Sequence, residues 1–230
     1  MMSAAKPRAI VSWSSGKDSA FTLQVLREQN EFELVALFTT INQVHDRVAM
    51  HAVRRELLRA QALSAGLPLW EVDIPSPCSN EEYDTAMRGL VARALGERVE
   101  VVAFGDLFLV DIRRYREERL AGTGLRPVFP LWGIPTDELS TRMLDAGLSA
   151  VLTCVDPRKL PAHFAGRTWD RALLGEMPTS VDPCGENGEF HTFVTRGPML
   201  SLALDVVVGP TVERDGFVFS DVQPRGQLPA

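Results

Sequence analysis

The sequence predicts an α/β protein: a doubly wound, parallel, five-stranded sheet followed by a smaller C-terminal α+β subdomain. Three features carry this prediction. Short apolar runs alternate with helical patterns through the first half of the chain, as βαβ units require. The first run, Ala9-Ile10-Val11, passes through the small residues Ser14, Ser15 and Gly16 into a helical pattern. Beyond Val155 the rhythm gives way to short alternating runs and Gly- and Pro-containing turns.

Taken in order, Ala20, Phe21, Leu23, Val25 and Leu26 form an apolar helical face that ends near Glu28. Residues 33–39 read as a second, buried strand. Residues 46–65 read as a helix, with Val48, Val53, Leu57, Leu58 and Leu63 on one face and Gly66 and Pro68 as the stop. Residues 69–74 form a third strand, closed by Pro75 and Pro77, and Asn80 is the expected N-cap of a helix reaching about Leu95. Residues 99–104 are a fourth strand and 126–132 a short fifth, bounded by prolines. Between them, residues 111–120 are dense in charge and read as a solvated helix with pairs such as Arg113–Glu117, one or two of whose side chains can reach a phosphate at the sheet edge. A soft boundary near residues 132–136 divides a domain at 1–134 from one at 135–230. Past it come a helix from Thr136 to about Ala146 with Gly147 as its stop, a strand at 148–155 and a short helix at 169–174. Strands follow at 193–196, 200–208 and 216–220, then a loose tail from Pro224.

Bulk composition narrows the function classes. The net charge of −6 argues against a dedicated nucleic-acid face. Three dispersed cysteines, Cys78, Cys154 and Cys184, form no CxxC pair, so neither a zinc site nor a disulfide framework is indicated, and a reducing cytoplasm fits best. No leader pattern and no membrane-length apolar run is expected. Arginine outnumbers lysine 21 to 3, a bias that suits genomic base composition and makes a lysine inside the first loop conspicuous.

In parallel sheets ligands bind beyond the carboxyl ends of the strands, which places residues 14–19, Thr39 to residue 42, 73–76 and Gly105-Asp106 on one edge. At the first of these, helix N–H groups and small side chains favour an anion. The loop is not a Walker A motif, because Asp18 follows Lys17 and no glycine stands at the required upstream position. A carboxylate beside phosphate needs a cation between them. Ser14, Ser15, Gly16 and Ser19 therefore read as a phosphate cradle, Lys17 as a charge on phosphate and Asp18 as a Mg2+ ligand. A second constellation spans 182–192, where Asp182, Glu186, Glu189 and His191 lie among Gly185 and Gly188. It suits a ligand loop folded over the nucleotide, with carboxylates for metal or amine and His191 as acid or base. The same spacing also suits a β-turn with surface acids and a satisfied histidine.

The segment Ser14-Ser15-Gly16-Lys17-Asp18-Ser19 resembles the PP-loop of ATP pyrophosphatases. Paired with Cys184-Gly185-Glu186-Asn187-Gly188-Glu189-Phe190-His191-Thr192, it resembles the diphthine–ammonia ligase family, a branch of the N-type enzymes with the HUP/PP-loop fold. Met50-His51, the Gln61-to-Pro68 stretch, Gly105-Asp106, the Arg113…Glu117 spacing and Pro130-Leu131-Trp132 match further elements of that family. Asn187 and Asp106 depart from its usual residues. The resemblance implies that ATP adenylates a substrate carboxylate and ammonia then displaces AMP. It implies Lys17, Asp18, Glu186, Glu189 and His191 as catalytic residues, with Ser14, Ser15, Gly16, Lys17, Ser19, Thr39, His51, Gly105 and Asp106 holding the nucleotide. The implied partners are ATP with Mg2+, ammonia, a carboxylate borne on a protein such as elongation factor 2, and a second copy of the chain. A PP-loop pyrophosphatase acting on a tRNA or small carboxylate, and a non-catalytic adenine-nucleotide-binding protein, are the alternative readings. A glutaminase domain and the paired cysteines of PP-loop thiolases are absent from the sequence.

Overall fold

The computed structural model describes residues 5–44, 46–48 and 53–226. The first part of the chain runs β1 (Arg8–Ser12), α1 (Lys17–Gln29), β2 (Glu33–Asn42), β3 (Arg47–Val48), α2 (Arg55–Ser64), β4 (Leu69–Ile74), α3 (Asn80–Gly96), β5 (Val101–Ala103), α4 (Val110–Leu120) and β6 (Arg126–Val128). Five of its six strands are parallel: β2 lies between β1 and β4, and β1 continues through β5 to β6. This is the expected doubly wound sheet, with the two-residue β3 added antiparallel to the end of β2. The chain leaves β1 towards β2 on one side and enters β5 on the other. The crevice above β1 and β5 is therefore a topological switch point, where such sheets bind ligands.

The remainder runs α5 (Thr136–Asp145), β7 (Ser149–Val155), a 3₁₀ turn at Ala162–Phe164, β8 (Thr168–Trp169), α6 (Arg171–Glu176), β9 (Phe190–Arg196), β10 (Val206–Arg214) and β11 (Phe217–Pro224). It forms a five-stranded antiparallel sheet in which β7 pairs with β8, β9 and β11. The α+β character of this half is as expected. One apolar core serves both sheets: Val11, Trp13 and Leu23 belong to the same buried cluster as Leu152, Trp169 and Phe193. A second cluster, including Ile10, Phe38, Leu90 and Phe104, fills the opposite face of the parallel sheet beneath α3 and α4.

Several elements differ from the expectation, among them the fifth strand, which stops at Val128, and the short helix, which starts at Arg171 rather than Trp169. The helix expected over 46–65 begins at Arg55, because Val48 N–H donates to Val53 O at 2.9 Å and Arg47 bridges to Arg54. The strand expected over 200–208 begins at Val206, because the preceding residues hook onto the end of α2: Ser201 N–H donates to Ser64 O, and Leu202 N–H to Ser64 Oγ. The N-cap of α3 is Ser79 rather than Asn80, since Ser79 and Glu82 form a reciprocal capping box. The tail expected to be loose lies partly outside the described residues.

Asp221 on β11 joins the two halves. Its carboxylate accepts from Arg54 Nε at 3.0 Å and Arg54 Nη2 at 2.7 Å, and from Arg47 Nη2 at 3.0 Å. The Arg54 hydrogen bonds hold Asp221 well below the usual carboxylate range. A depressed folded-state pKa contributes stability above the unfolded value and loses it as pH falls. Asp221→Asn is thus expected to destabilise the fold by about 1–2 kcal/mol at pH 7, allowing for solvent screening. In urea titrations the gap from wild type should close as pH drops below about 4.

Candidate active site

The turn after β1 is stitched by its own serines. Ser14 N–H donates to Ser19 Oγ at 3.3 Å, Gly16 N–H to Ser14 Oγ at 3.3 Å, and Ser19 O–H to Gly16 O at 3.0 Å. Ser15 adopts φ +71° and is fully buried. Gly16 caps α1 in an extended conformation with no side-chain cap, which leaves the helix N-terminus to be satisfied from elsewhere. Part of that satisfaction comes from β9, some 175 residues away: Lys17 N–H donates to Thr192 Oγ1 at 3.1 Å. Val194 N–H donates to Ser15 O at 3.0 Å. A Cβ on Gly16 would stand 3.2 Å from Thr192 O, so glycine eases the close approach of the two segments.

Gln61 locks this seam from α2. Fully buried, it donates through Nε2 to Ser15 O at 3.1 Å and Val194 O at 2.8 Å, and its Oε1 accepts from Trp13 Nε1 at 2.7 Å.

Lys17 is 2% exposed and does not project into solvent. Its ammonium reaches both Asp18 oxygens, at 2.9 and 2.8 Å, and donates to Cys184 O. Burial works against the charge, but Asp18, with smaller contributions from Cys184 and Glu186, holds Lys17 above the ordinary lysine range. The Trp169 and Phe190 rings lie 5.8 and 5.6 Å from Nζ. The loop at 182–189 is organised by Asp182, whose Oδ1 accepts from Cys184 N–H at 3.1 Å and Oδ2 from Glu186 N–H at 2.9 Å. Glu186 Oε1 accepts from Leu107 N–H at 2.8 Å, so this loop also spans to the end of β5. Burial, opposed by that hydrogen bond, pushes the Glu186 carboxyl up to about 7. At Gly105 a Cβ would lie 3.0–3.1 Å from the Asp18 carbonyl and Ser19 N, so glycine lets the chain after β5 pass close against the start of α1.

Two chambers open here. A polar one of about 250 Å³ is lined by Ser14, Gly16, Lys17, Asp18 and Ser19 on one side and Glu186, His191 and Thr192 on the other. An apolar one of about 700 Å³ lies between α3 and α4, with Phe38, Thr39, Ile74, Tyr83, Met87 and Val91 on its walls.

Of the residues singled out in the sequence, Ser14, Gly16, Lys17, Asp18, Ser19, Gly105, Asp106, Glu186 and His191 line the polar chamber. Thr39 lines the apolar one. Ser15 supports the turn from beneath. Glu189 folds into its own loop, Oε1 accepting from Asp182 N–H at 3.2 Å and Asn187 Nδ2 at 3.3 Å, and lines neither chamber. His51 lies outside the described residues. Burial, with the Lys17 charge, pushes His191 down to about 4, so it is neutral at pH 7 and Glu186 is the group that titrates near neutrality. That setting favours Glu186 over His191 as the acid or base near neutral pH. Gln61, Thr192 and Arg116 were not singled out as site residues. Gln61 and Thr192 fell within motif matches, and Arg116 within the charged helix, but nothing in spacing alone says which side chains turn to the loop.

Among the described residues no group of three or more His, Cys, Asp or Glu side chains is placed to hold a metal ion.

Comparison with known proteins agrees with this arrangement. The family model for the diphthamide synthase N-terminal domain matches residues 7–127, and that for the C-terminal domain matches residues 135–220. Diphthine–ammonia ligase of Rattus norvegicus is 25% identical over 236 residues, covering 91% of this chain and 86% of that protein. The Homo sapiens diphthine–ammonia ligase is 25% identical over 231 residues with the same coverage. That of Schizosaccharomyces pombe is 25% identical over 205 residues, 81% of this chain but 34% of the relative. With both halves matched in order, and the matched halves meeting at the loop described above, the chain belongs to the diphthamide synthase family.

Proposed function

We propose that this chain is an ATP-dependent, AMP-forming ammonia ligase of the diphthine–ammonia ligase type. The observation that carries the reading is the meeting of the PP-loop with the 182–192 loop: Lys17 N–H on Thr192 Oγ1 and Lys17 Nζ on Cys184 O. A phosphate cradle is thereby closed by a wall that carries a carboxyl titrating near neutrality.

In this reading the nucleoside occupies the apolar chamber at Thr39 and the pyrophosphate portion of ATP sits among Ser14, Gly16 and Ser19. A substrate carboxylate oxygen bonds to the α-phosphorus and pyrophosphate departs. Ammonia then bonds to the acyl carbon, AMP leaves with that oxygen, and one proton is lost from nitrogen. The backbone N–H groups of the loop and the Lys17 charge stabilise the departing pyrophosphate. Glu186, deprotonated above about 7, accepts the ammonia-derived proton. Magnesium ordinarily uses one or two carboxylates and completes its shell with phosphate and water. Asp18 fits that role as a single carboxylate at the chamber wall, and the ion would neutralise charge on the phosphates. The same proposal gives residues 1–134 the nucleotide and 135–230 the acyl substrate, taken to be diphthine on elongation factor 2. It sets the reaction in the cytoplasm, on a homodimer. Among the described residues no helix is long and apolar enough to cross a membrane.

Purified protein with ATP, MgCl2, ammonium and diphthine-bearing elongation factor 2 is expected to form AMP and pyrophosphate in step with amide; ADP and phosphate as products would contradict the mechanism. Glu186→Gln should lower kcat by roughly 100-fold or more with little change in ATP affinity. In wild type, kcat should rise as pH passes through about 7, because the base must be deprotonated, and the Gln variant should lose that limb. A pH profile that is the same in both proteins would remove Glu186 from proton transfer.

A further inference from the structure

The two chambers share four lining residues: Ser12, Ser14, Phe104 and Arg116. A molecule that places a nucleoside in the apolar chamber and a pyrophosphate in the polar one must thread the link between them past these four. In ATP that link is the α-phosphate. Only Arg116 among them carries a charge.

Arg116 is set apart from its neighbours on α4. Arg113 lies over the rings of Phe129 and Trp132, at 4.8 and 4.7 Å, and is paired with Glu117 at 2.8 Å. Arg119 is paired with Asp84 at 2.8 Å and lines the apolar chamber alone. The Arg116 guanidinium lies 5.0 Å over the Phe104 ring, with Nε 3.6 Å from Asp106 Oδ2. Both of those atoms are buried, and neither makes a hydrogen bond. The ion pair is thus close enough to orient the side chain and too long to satisfy it. Its side chain remains 31% exposed at the junction.

Resting on the ATP-ligase reading, we propose that Arg116 is a catalytic residue that receives the α-phosphate of ATP, with Asp106 and the Phe104 ring as the positioning groups behind it. The α-phosphorus is where the reaction happens. The substrate carboxylate oxygen forms a bond to it, the bond to the bridging oxygen of the β-phosphate breaks, and that electron pair leaves with pyrophosphate. No proton moves in this step. A guanidinium held beside the non-bridging oxygens stabilises the charge they carry in the transition state and, afterwards, holds the acyl adenylate in register for ammonia.

Calorimetric titration of the full chain with adenosine and with AMP isolates this contact, since the two ligands differ only in the α-phosphate. Arg116→Gln is expected to raise the Kd for AMP at least about tenfold while leaving that for adenosine within about twofold. Arg116→Lys, a point charge without the planar fork, should fall between. An unchanged AMP affinity in the Gln variant, or an equal loss for both ligands, overturns the assignment; the Lys variant's melting temperature guards against an unfolded protein. Selective loss of AMP binding in a chain whose wild type forms no AMP from ATP would support the contact and overturn the ligase reading separately.

Discussion

The site depends on a seam of hydrogen bonds between the turn after β1 and strand β9. Helix α1 starts without a side-chain cap, and the turn before it contains a serine at positive φ, so this stretch cannot hold its shape on local interactions alone. Thr192, Val194 and Gln61 supply what it lacks. Because these donors and acceptors are buried, each would be costly to leave unpaired, by about 1–3 kcal/mol. The seam therefore makes the C-terminal sheet a structural part of the phosphate loop rather than a neighbour of it. The single apolar core running from Val11 and Trp13 to Leu152 and Phe193 is the same union expressed in packing.

Electrostatics follow from that union. Docking β9 buries Lys17, and a buried ammonium is tolerable only because Asp18 and the Cys184 carbonyl meet it. The same docking brings Glu186 beside Asp18 and Lys17, in a setting that moves its carboxyl to about 7 and the His191 imidazole to about 4. Two groups that look interchangeable as proton carriers in the sequence are thus separated by burial. The loop that carries them has its own internal frame, Asp182 bonding to Cys184 and Glu186 and Glu189 to Asp182, so it is held by two carboxylates, Asp182 and Glu189, that line neither chamber.

The parallel sheet was legible because its strands are apolar runs between helices of ordinary length, and residues 69–74 were placed to the residue. The segment from Asp46 to Arg54 was not, because Val48 and Val53 fit a helical period equally well, whereas the Val48–Val53 hydrogen bond and the distant Asp221, which accepts from both Arg47 and Arg54, set their placement here. Likewise the residues before β10 read as strand, but Ser64 supplies their hydrogen bonds and leaves them irregular. In the site, Ser14 to Ser19 and Glu186 announced themselves by type and spacing. Gln61 did not, since a glutamine in an amphipathic helix usually faces water; its importance comes from a burial that no local pattern encodes. Arg116 was hidden among the six other charges of residues 111–120 for the same reason.

The most direct measurement of the seam is the ATP dissociation constant of Gln61→Met, a change of similar volume that removes all three of its hydrogen bonds. The account predicts a folded protein, destabilised by about 1–3 kcal/mol, whose ATP affinity falls at least about tenfold because the turn is no longer held. A variant that loses stability yet binds ATP as wild type does would show that the loop keeps its shape without the buried Gln61 bonds that tie it to β9, and would contradict the central claim.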